Sequence, residues 1–169
     1  MTIEKFIANP NQKNWEESGI SGDINMMREL YQKSKELAKK FFSCQDWIEM
    51  CEFEKSFSVR NIFLGNAVHN ISSFQECIEV FNLDKQFKFF RQLWKKFANF
   101  AVSFEEKLFT ICTFEEYKKT SLGRKILQDM IDLAETDENI EALMGLVSLD
   151  DKVLSDNLTK KSFEISSLS

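Results

Sequence analysis

Few side chains in this sequence are suited to nucleophilic or transition-metal chemistry. His69 is the only histidine, and the four cysteines are Cys44, Cys51, Cys77 and Cys112. A single histidine excludes HExxH zinc sites and di-iron bundles built on paired Glu-x-x-His motifs. The strings GxxxxGK[ST], GxGxxG and GxSxG, which carry phosphate loops and nucleophile elbows, do not occur. We therefore expect a non-catalytic protein without cofactor or metal, although a helical enzyme with an unrecognised carboxylate site stays an alternative.

The cysteines show no CxxC pair and no spacing typical of a metal-ligand set. In a chain that we expect to stay inside the cell, such thiols are typically reduced and buried. Cys44 and Cys51 are seven residues apart in the sequence and would share one face of a continuous helix. A zinc or redox role for these two is the alternative interpretation.

His69 lies in a segment whose apolar residues recur at steps of three and four, which predicts a helix. On that helix His69 points roughly 200° away from both Ala67 and Ile71, which belong to the inward stripe. Its neighbours one turn away are small or polar: Gly65, Asn66, Ser72 and Ser73. An exposed imidazole among small residues is accessible to a response regulator. Histidine phosphotransfer through His69 is therefore one hypothesis, and an ordinary surface histidine is the other.

The string FLGNAVHNISSF, residues 63–74, resembles the histidine box of sensor kinase dimerisation domains, which commonly reads F-L-x-N-x-x-H-E-I-x-T-P. The positions that match are Phe63, Leu64, Asn66, His69 and Ile71. The family's acid after the histidine is Asn70 here, and its proline is Phe74. The resemblance covers twelve residues, and no ATP-binding half follows in the chain. It therefore implies a phosphohistidine relay, or a decoy of one, rather than a kinase.

Residues 85–109, KQFKFFRQLWKKFANFAVSFEEKLF, form the most distinctive stretch of the chain. On one helix its apolar residues fill an arc of roughly 180°. They are Phe87, Phe89, Phe90, Leu93, Trp94, Phe97, Phe100, Ala101, Phe104 and Leu108. So wide an apolar face must be covered, and we expect the other helices to cover it. The basic helix face on its back consists of Lys85, Lys88, Arg91 and Lys95.

Two alternatives to burial by the other helices remain for this aromatic face. Broad aromatic faces flanked by lysine and arginine are typical of helices that lie on a lipid surface, so lipid or granule-surface binding is an alternative. A second copy of the chain would also cover the face, which makes a homodimer a further alternative.

Charge is distributed unevenly along the chain, whose formal net charge is −5. Residues 85–104 hold five basic side chains and no acid, whereas residues 126–151 hold eight acids and no base. A net acidic chain argues against general nucleic-acid binding. An acidic segment favours steered association with a basic protein. The predicted partner-facing residues are Asp129, Asp132, Glu135, Asp137, Glu138 and Glu141.

The size and composition are those of one globular domain: 169 residues, 43% apolar and 29% charged. One proline and five glycines offer little turn chemistry for strands, which favours helices. We predict an all-α, single-domain bundle of about five to seven helices over residues 1–156, with the long aromatic helix at its centre. The serine-rich segment 157–169 is predicted to be a flexible tail.

Helix starts are predicted at residue types that cap helices, namely Thr2, Asp23 and Thr136. Residues 58–82 predict either one helix or two, the second starting at a capping box formed by Ser73 and Glu76. One long helix, or two in line, is predicted over residues 23–51, with a break at 53–58. Thr113 with Glu116 predicts a further capping box. Residues 121–123 predict an irregular segment.

The sequence has no run of about 18 uncharged apolar residues, and its N-terminal segment has too short an apolar core for a signal peptide. We therefore expect a cytoplasmic protein. The lack of catalytic motifs and the two oppositely charged segments favour a protein-binding module, such as an adaptor, inhibitor, immunity or regulatory protein.

Overall fold

A computed structural model describes residues 2–167. Within that range the chain forms twelve α-helices and one 3-10 turn, and no strand. The all-α prediction is confirmed, but the count of five to seven helices is wrong because the helices are short. They are α1 (Ile3–Ala8), α2 (Gln12–Ser18), α3 (Ile24–Lys33), α4 (Lys35–Phe41), α5 (Cys44–Phe53), α6 (Phe57–Asn70), α7 (Phe74–Leu83), α8 (Phe90–Phe100), α9 (Phe104–Thr113), the 3-10 turn Glu115–Tyr117, α10 (Ser121–Leu133), α11 (Asp137–Leu146) and α12 (Lys152–Ser166).

Serine caps divide the segment 23–51 into three helices instead of one or two. The Ser34 hydroxyl accepts a hydrogen bond from the Leu37 amide and starts α4. Ser43 and Asp46 form a reciprocal capping box that starts α5. In a continuous helix these amides would donate to backbone carbonyls of the preceding turn, but here the serine side chain accepts their hydrogen bonds. A new helix therefore begins at each serine. The caps predicted at Thr2, Asp23, Ser73 and Thr136 are confirmed.

The single aromatic helix predicted over residues 85–109 is wrong, because the chain is interrupted at both ends of α8. Before α8, the buried Asp84 carboxylate accepts hydrogen bonds from the amides of Lys88 and Phe89, at 3.0 and 2.7 Å. Phe87, in that turn, has a φ of 54° in the left-handed region. After α8, a capping box between Ser103 and Glu106 starts α9.

The expected burial of the aromatic face is observed for its central residues. Leu93 and Phe97 are fully buried, Phe104 is buried and Phe90 is half-buried. Phe87 is the exception, with 60% of its surface exposed. No helix in the described part of the chain is long and apolar enough to cross a membrane.

The chain divides into two compact units, Met1–Leu93 and Trp94–Ser169, where the sequence predicted one domain. The first unit is built around α5, which packs against α3, α6 and α7. The fully buried Trp47 of α5 contacts the rings of Tyr31, Phe42 and Phe63, with centroids 5.9, 5.0 and 5.8 Å away. This aromatic cluster forms the core of the first unit.

The second unit is built around α10, which packs against α9, α11 and α12. Phe97 and Phe114 are fully buried, with ring centroids 5.3 Å apart. Trp94 stacks on Tyr117 at 5.5 Å. The 3-10 turn that contains Tyr117 is thereby attached to the core of this unit.

Three local predictions in the second unit differ from the structure. Thr113 ends α9 instead of opening a capping box with Glu116, and a 3-10 turn follows. Residues 121–123 begin α10, because the Thr120 hydroxyl caps the Gly123 amide at 3.2 Å. The predicted flexible tail, 157–169, coincides with α12 as far as Ser166, and Leu158 is buried. Residues 168 and 169 lie outside the described range.

Candidate functional site

All six predicted acidic residues belong to the second unit. Asp129 and Asp132 lie on α10, Glu135 follows that helix, and Asp137, Glu138 and Glu141 lie on α11. Five of them are exposed, whereas Asp129 is half-buried. The structure therefore distinguishes Asp129 from the other five.

Asp129 forms an ion pair inside the second unit. Its carboxylate lies 3.4 Å from the ammonium of Lys107, a buried residue of α9. The same ammonium donates to the carbonyl of Ala101 at 3.0 Å. Sequence reasoning missed Lys107, although its position three residues after Phe104 and four before Ile111 places it on the inward stripe of α9. Asp129 is therefore engaged in a structural contact.

The other acids keep their carboxylates at the surface. Asp132 accepts a hydrogen bond from the Gln128 side chain at 3.0 Å. The backbone amide of Glu138 and the Thr136 hydroxyl, at the start of α11, hold the pKa of Glu138 below its usual range. Glu138 is accordingly ionised at neutral pH, so it adds a full negative charge to this surface.

His69 lies in the last turn of α6, and its side chain is exposed, as predicted. α6 ends at Asn70, whose side chain donates to the Asn66 carbonyl at 2.8 Å. The string that resembles a histidine box is therefore divided, with its last residues in the Ile71–Ser73 turn and at the start of α7. Phosphotransfer through His69 stays a prediction.

The basic helix face is not formed as predicted, because only two of its four residues are helical. Lys85 and Lys88 lie in the turn before α8, whereas Arg91 and Lys95 lie on the helix. All four are exposed, and the Lys88 ammonium lies 5.8 Å from the centroid of the Phe89 ring. Leu93, Trp94 and Phe97 of α8 are buried. Lipid or granule-surface binding through residues 85–109 stays a prediction.

Cys44, Cys51 and Cys77 are buried, and Cys112 is exposed. The Cys51 thiol donates to the Arg60 carbonyl at 3.6 Å, and burial raises its pKa to about 12. Cys44 donates to the Ala67 carbonyl at 3.4 Å. In residues 2–167, no group of three or more His, Cys, Asp or Glu side chains is placed to hold a metal ion.

The sequence did not predict a cleft in the second unit between the turn before α10 and the start of α12. It encloses about 540 Å³. Its polar lining consists of Lys118, Lys119, Arg124, Ser148, Asp150, Asp151 and Lys152, and its apolar lining of Leu127, Leu146, Val153 and Leu154. These residues come from three separate segments, so no local sequence pattern brings them together.

A second depression, of about 630 Å³, lies in the first unit. Tyr31, Phe53 and Val59 supply its apolar surface, and the Arg28 guanidinium donates to the Phe53 carbonyl at one edge. Burial raises the pKa of Tyr31. The charged residues Arg28, Glu54 and Lys55 also line this depression.

No protein-family model matches the sequence, and no curated protein or solved structure matches it either.

Proposed function

We propose that this is a non-catalytic binding protein that recognises a basic partner protein through the second unit. The proposed contact region is the acidic surface, defined as the exposed carboxylates at the end of α10 and the start of α11. It consists of Asp132, Glu135, Asp137, Glu138 and Glu141.

The observation that carries the proposal is the exposed stripe along α11. Asp137, Glu141 and Met144 are spaced four and three residues apart, so they share one face of the helix. All three are exposed, and Met144 has 60% of its surface in solvent. Protein interfaces typically combine a flexible apolar contact such as methionine with a charged rim. Leu133, 42% exposed beside Asp132, adds a second apolar contact.

Electrostatics supports a basic partner. Among residues 2–167, no lysine or arginine forms an ion pair with any of the five carboxylates of the acidic surface. Their charge therefore extends into solvent, where it accelerates encounter with a positive surface. Such attraction is screened at high salt, because the Debye length falls to about 3 Å at 1 M.

Affinity capture with matched charge reversals tests this function. A triple variant reverses three charges of the acidic surface: Glu135→Lys, Asp137→Lys and Glu141→Lys. It should fail to capture a partner that the wild type captures at low salt and releases at high salt. The control Glu16→Lys, Glu36→Lys, Glu52→Lys changes three exposed acids of the first unit, with the same net charge, and should keep it. Equal capture by both variants, measured with the purified partner, would reject the acidic surface.

A further inference from the structure

We infer that the cleft of the second unit binds a small amphipathic anion, of which an alkyl carboxylate is the simplest example. This inference is independent of the proposed protein partner, because none of the five acidic-surface residues lines the cleft. The volume of about 540 Å³ falls within the roughly 300–1,000 Å³ typical of small-molecule sites.

The floor of the cleft is apolar and comes from three helices. It is lined by Leu127 of α10, Leu146 of α11 and Leu154 of α12. Val153 also lines the cleft, and 62% of its surface is exposed. An alkyl chain that covers Val153 and the half-buried Leu146 removes apolar surface from water, which favours binding in proportion to the area buried. The cleft is thus suited to a ligand with an apolar tail.

The rim of the cleft carries an excess of positive charge. Four cations, Lys118, Lys119, Arg124 and Lys152, face two carboxylates, Asp150 and Asp151. This local excess contrasts with the net charge of −5 of the whole chain. Charge complementarity therefore selects a negatively charged head group.

Two of the four cations already have partners. Arg124 pairs with both carboxylate oxygens of Asp151, through Nε at 2.7 Å and Nη2 at 3.0 Å. Lys118 pairs with Glu115 at 2.9 Å. Lys119 and Lys152 form no ion pair with any residue of the described range. These two ammonium groups are therefore the ones that a head group would engage, opposed by the single charge of Asp150.

The Arg124–Asp151 pair holds the cleft open in advance of binding. Asp151 also caps α12, since its carboxylate accepts a hydrogen bond from the Leu154 amide at 3.4 Å. The pair therefore joins α10 to the first turn of α12 at a fixed distance. A site that is already formed loses little conformational entropy on binding.

The charges of an adjoining depression affect where the head group of the ligand lies. It shares Lys118, Lys119, Leu146 and Ser148 with the cleft but is also lined by Glu115 and Glu116. These two glutamates repel an anion, so the carboxylate should lie inside the cleft, between Lys119 and Lys152, with the tail toward Leu146 and Val153.

Calorimetric titration of the full chain with decanoate, below its micelle concentration, tests the site. Decanoate should bind saturably with one site per chain. Decyltrimethylammonium, which has an equally long tail and a positive head group, should bind at least tenfold more weakly. Equal binding of the two, or no saturable binding of decanoate, would overturn the inference.

Matched variants locate the binding. Lys119→Glu with Lys152→Glu should weaken decanoate binding at least tenfold, whereas Lys125→Glu with Lys160→Glu, which reverses exposed lysines of α10 and α12 outside the cleft, should leave it unchanged. Equal affinity in the two variants would reject the site. Val153→Asp, a change at a largely exposed residue, provides a second variant that should also weaken binding.

Amide chemical shifts give a readout that does not depend on any substitution. In the wild type, decanoate should shift the amides of Lys119, Leu146, Ser148 and Val153. Shifts that spread equally to Phe53 and Phe57, exposed residues of the first unit, would indicate general hydrophobic association and would overturn the inference.

Discussion

The ammonium of Lys107 lies 3.4 Å from the carboxylate of Asp129, and it also donates to the Ala101 carbonyl, which follows the end of α8. One buried cation thus connects the end of α8, helix α9 and helix α10. Buried lysines are rare unless paired, because an unpaired ammonium forfeits its hydration. The contact therefore joins the turn after α8 to both α9 and α10.

Replacement of Lys107 by methionine should lower the free energy of unfolding by about 2 kcal/mol, because the Ala101 carbonyl and Asp129 lose their donor. Urea denaturation measures the loss. Lys125→Met, at an exposed position on α10, is the control and should change stability by less than about 0.5 kcal/mol. Equal stability of the two variants would show that the Lys107 contact contributes nothing.

Asp84 should be the residue that prevents one continuous helix over residues 83–100. Asp84→Ala leaves the Lys88 and Phe89 amides without their acceptor and should lower the free energy of unfolding by about 2 kcal/mol. Asp84→Asn keeps one side-chain oxygen and should lower it by about half as much. A thermal melt of the three proteins tests this order, and the reverse order would contradict the role given to the carboxylate.

One cysteine should react with a thiol reagent much faster than the other three. In the folded protein at pH 8, iodoacetamide should modify Cys112 rapidly, because it is exposed. Cys51 should react slowly, since burial both blocks access and raises its pKa to about 12, so that almost no thiolate is present. Mass spectrometry of timed samples counts the modified thiols. Rapid modification of two or more thiols in the wild type, or of any thiol in Cys112→Ser, would contradict the structure.

The ion pair between Glu4 of α1 and Lys33 of α3 should make stability depend on pH in the acid range. The hydrogen bond from Lys33 lowers the pKa of Glu4 below its ordinary value of 4.5. A carboxylate with a lowered pKa stabilises the fold above the unfolded pKa, and the contribution is lost as pH falls through the folded pKa. Glu4→Gln should therefore be less stable than the wild type at pH 7 and equally stable near pH 2.

Urea titrations at a series of pH values test the Glu4 prediction. Lys33 also pairs with Glu29 at 2.7 Å, so it keeps a partner in the variant. The control Glu17→Gln removes a longer contact, 3.9 Å from Lys13 within α2, and should lower the free energy of unfolding at pH 7 by less than Glu4→Gln does. A difference between wild type and Glu4→Gln that grows toward pH 2 would have the wrong sign.

Several helix starts could be predicted from the sequence because a cap is a local interaction. The Thr136 hydroxyl bonds an amide only three residues further along, and Ser73 does the same. Residue type and spacing suffice for such contacts. The same reasoning did not recognise Ser34, Ser43 and Ser103 as helix starts, because each lies in a stretch whose apolar periodicity continues across the break.

The sequence by itself determined the helical class, the inward position of Leu93 and Phe97, and the clustering of acids in residues 129–141. These follow from propensity, apolar period and charge, all of which are local properties. Only the tertiary structure decided that Asp129 pairs with Lys107 and that Arg124 pairs with Asp151. Those partners are 22 and 27 residues apart in the chain. They meet because α9, α10 and α12 pack together, and no local pattern encodes that packing.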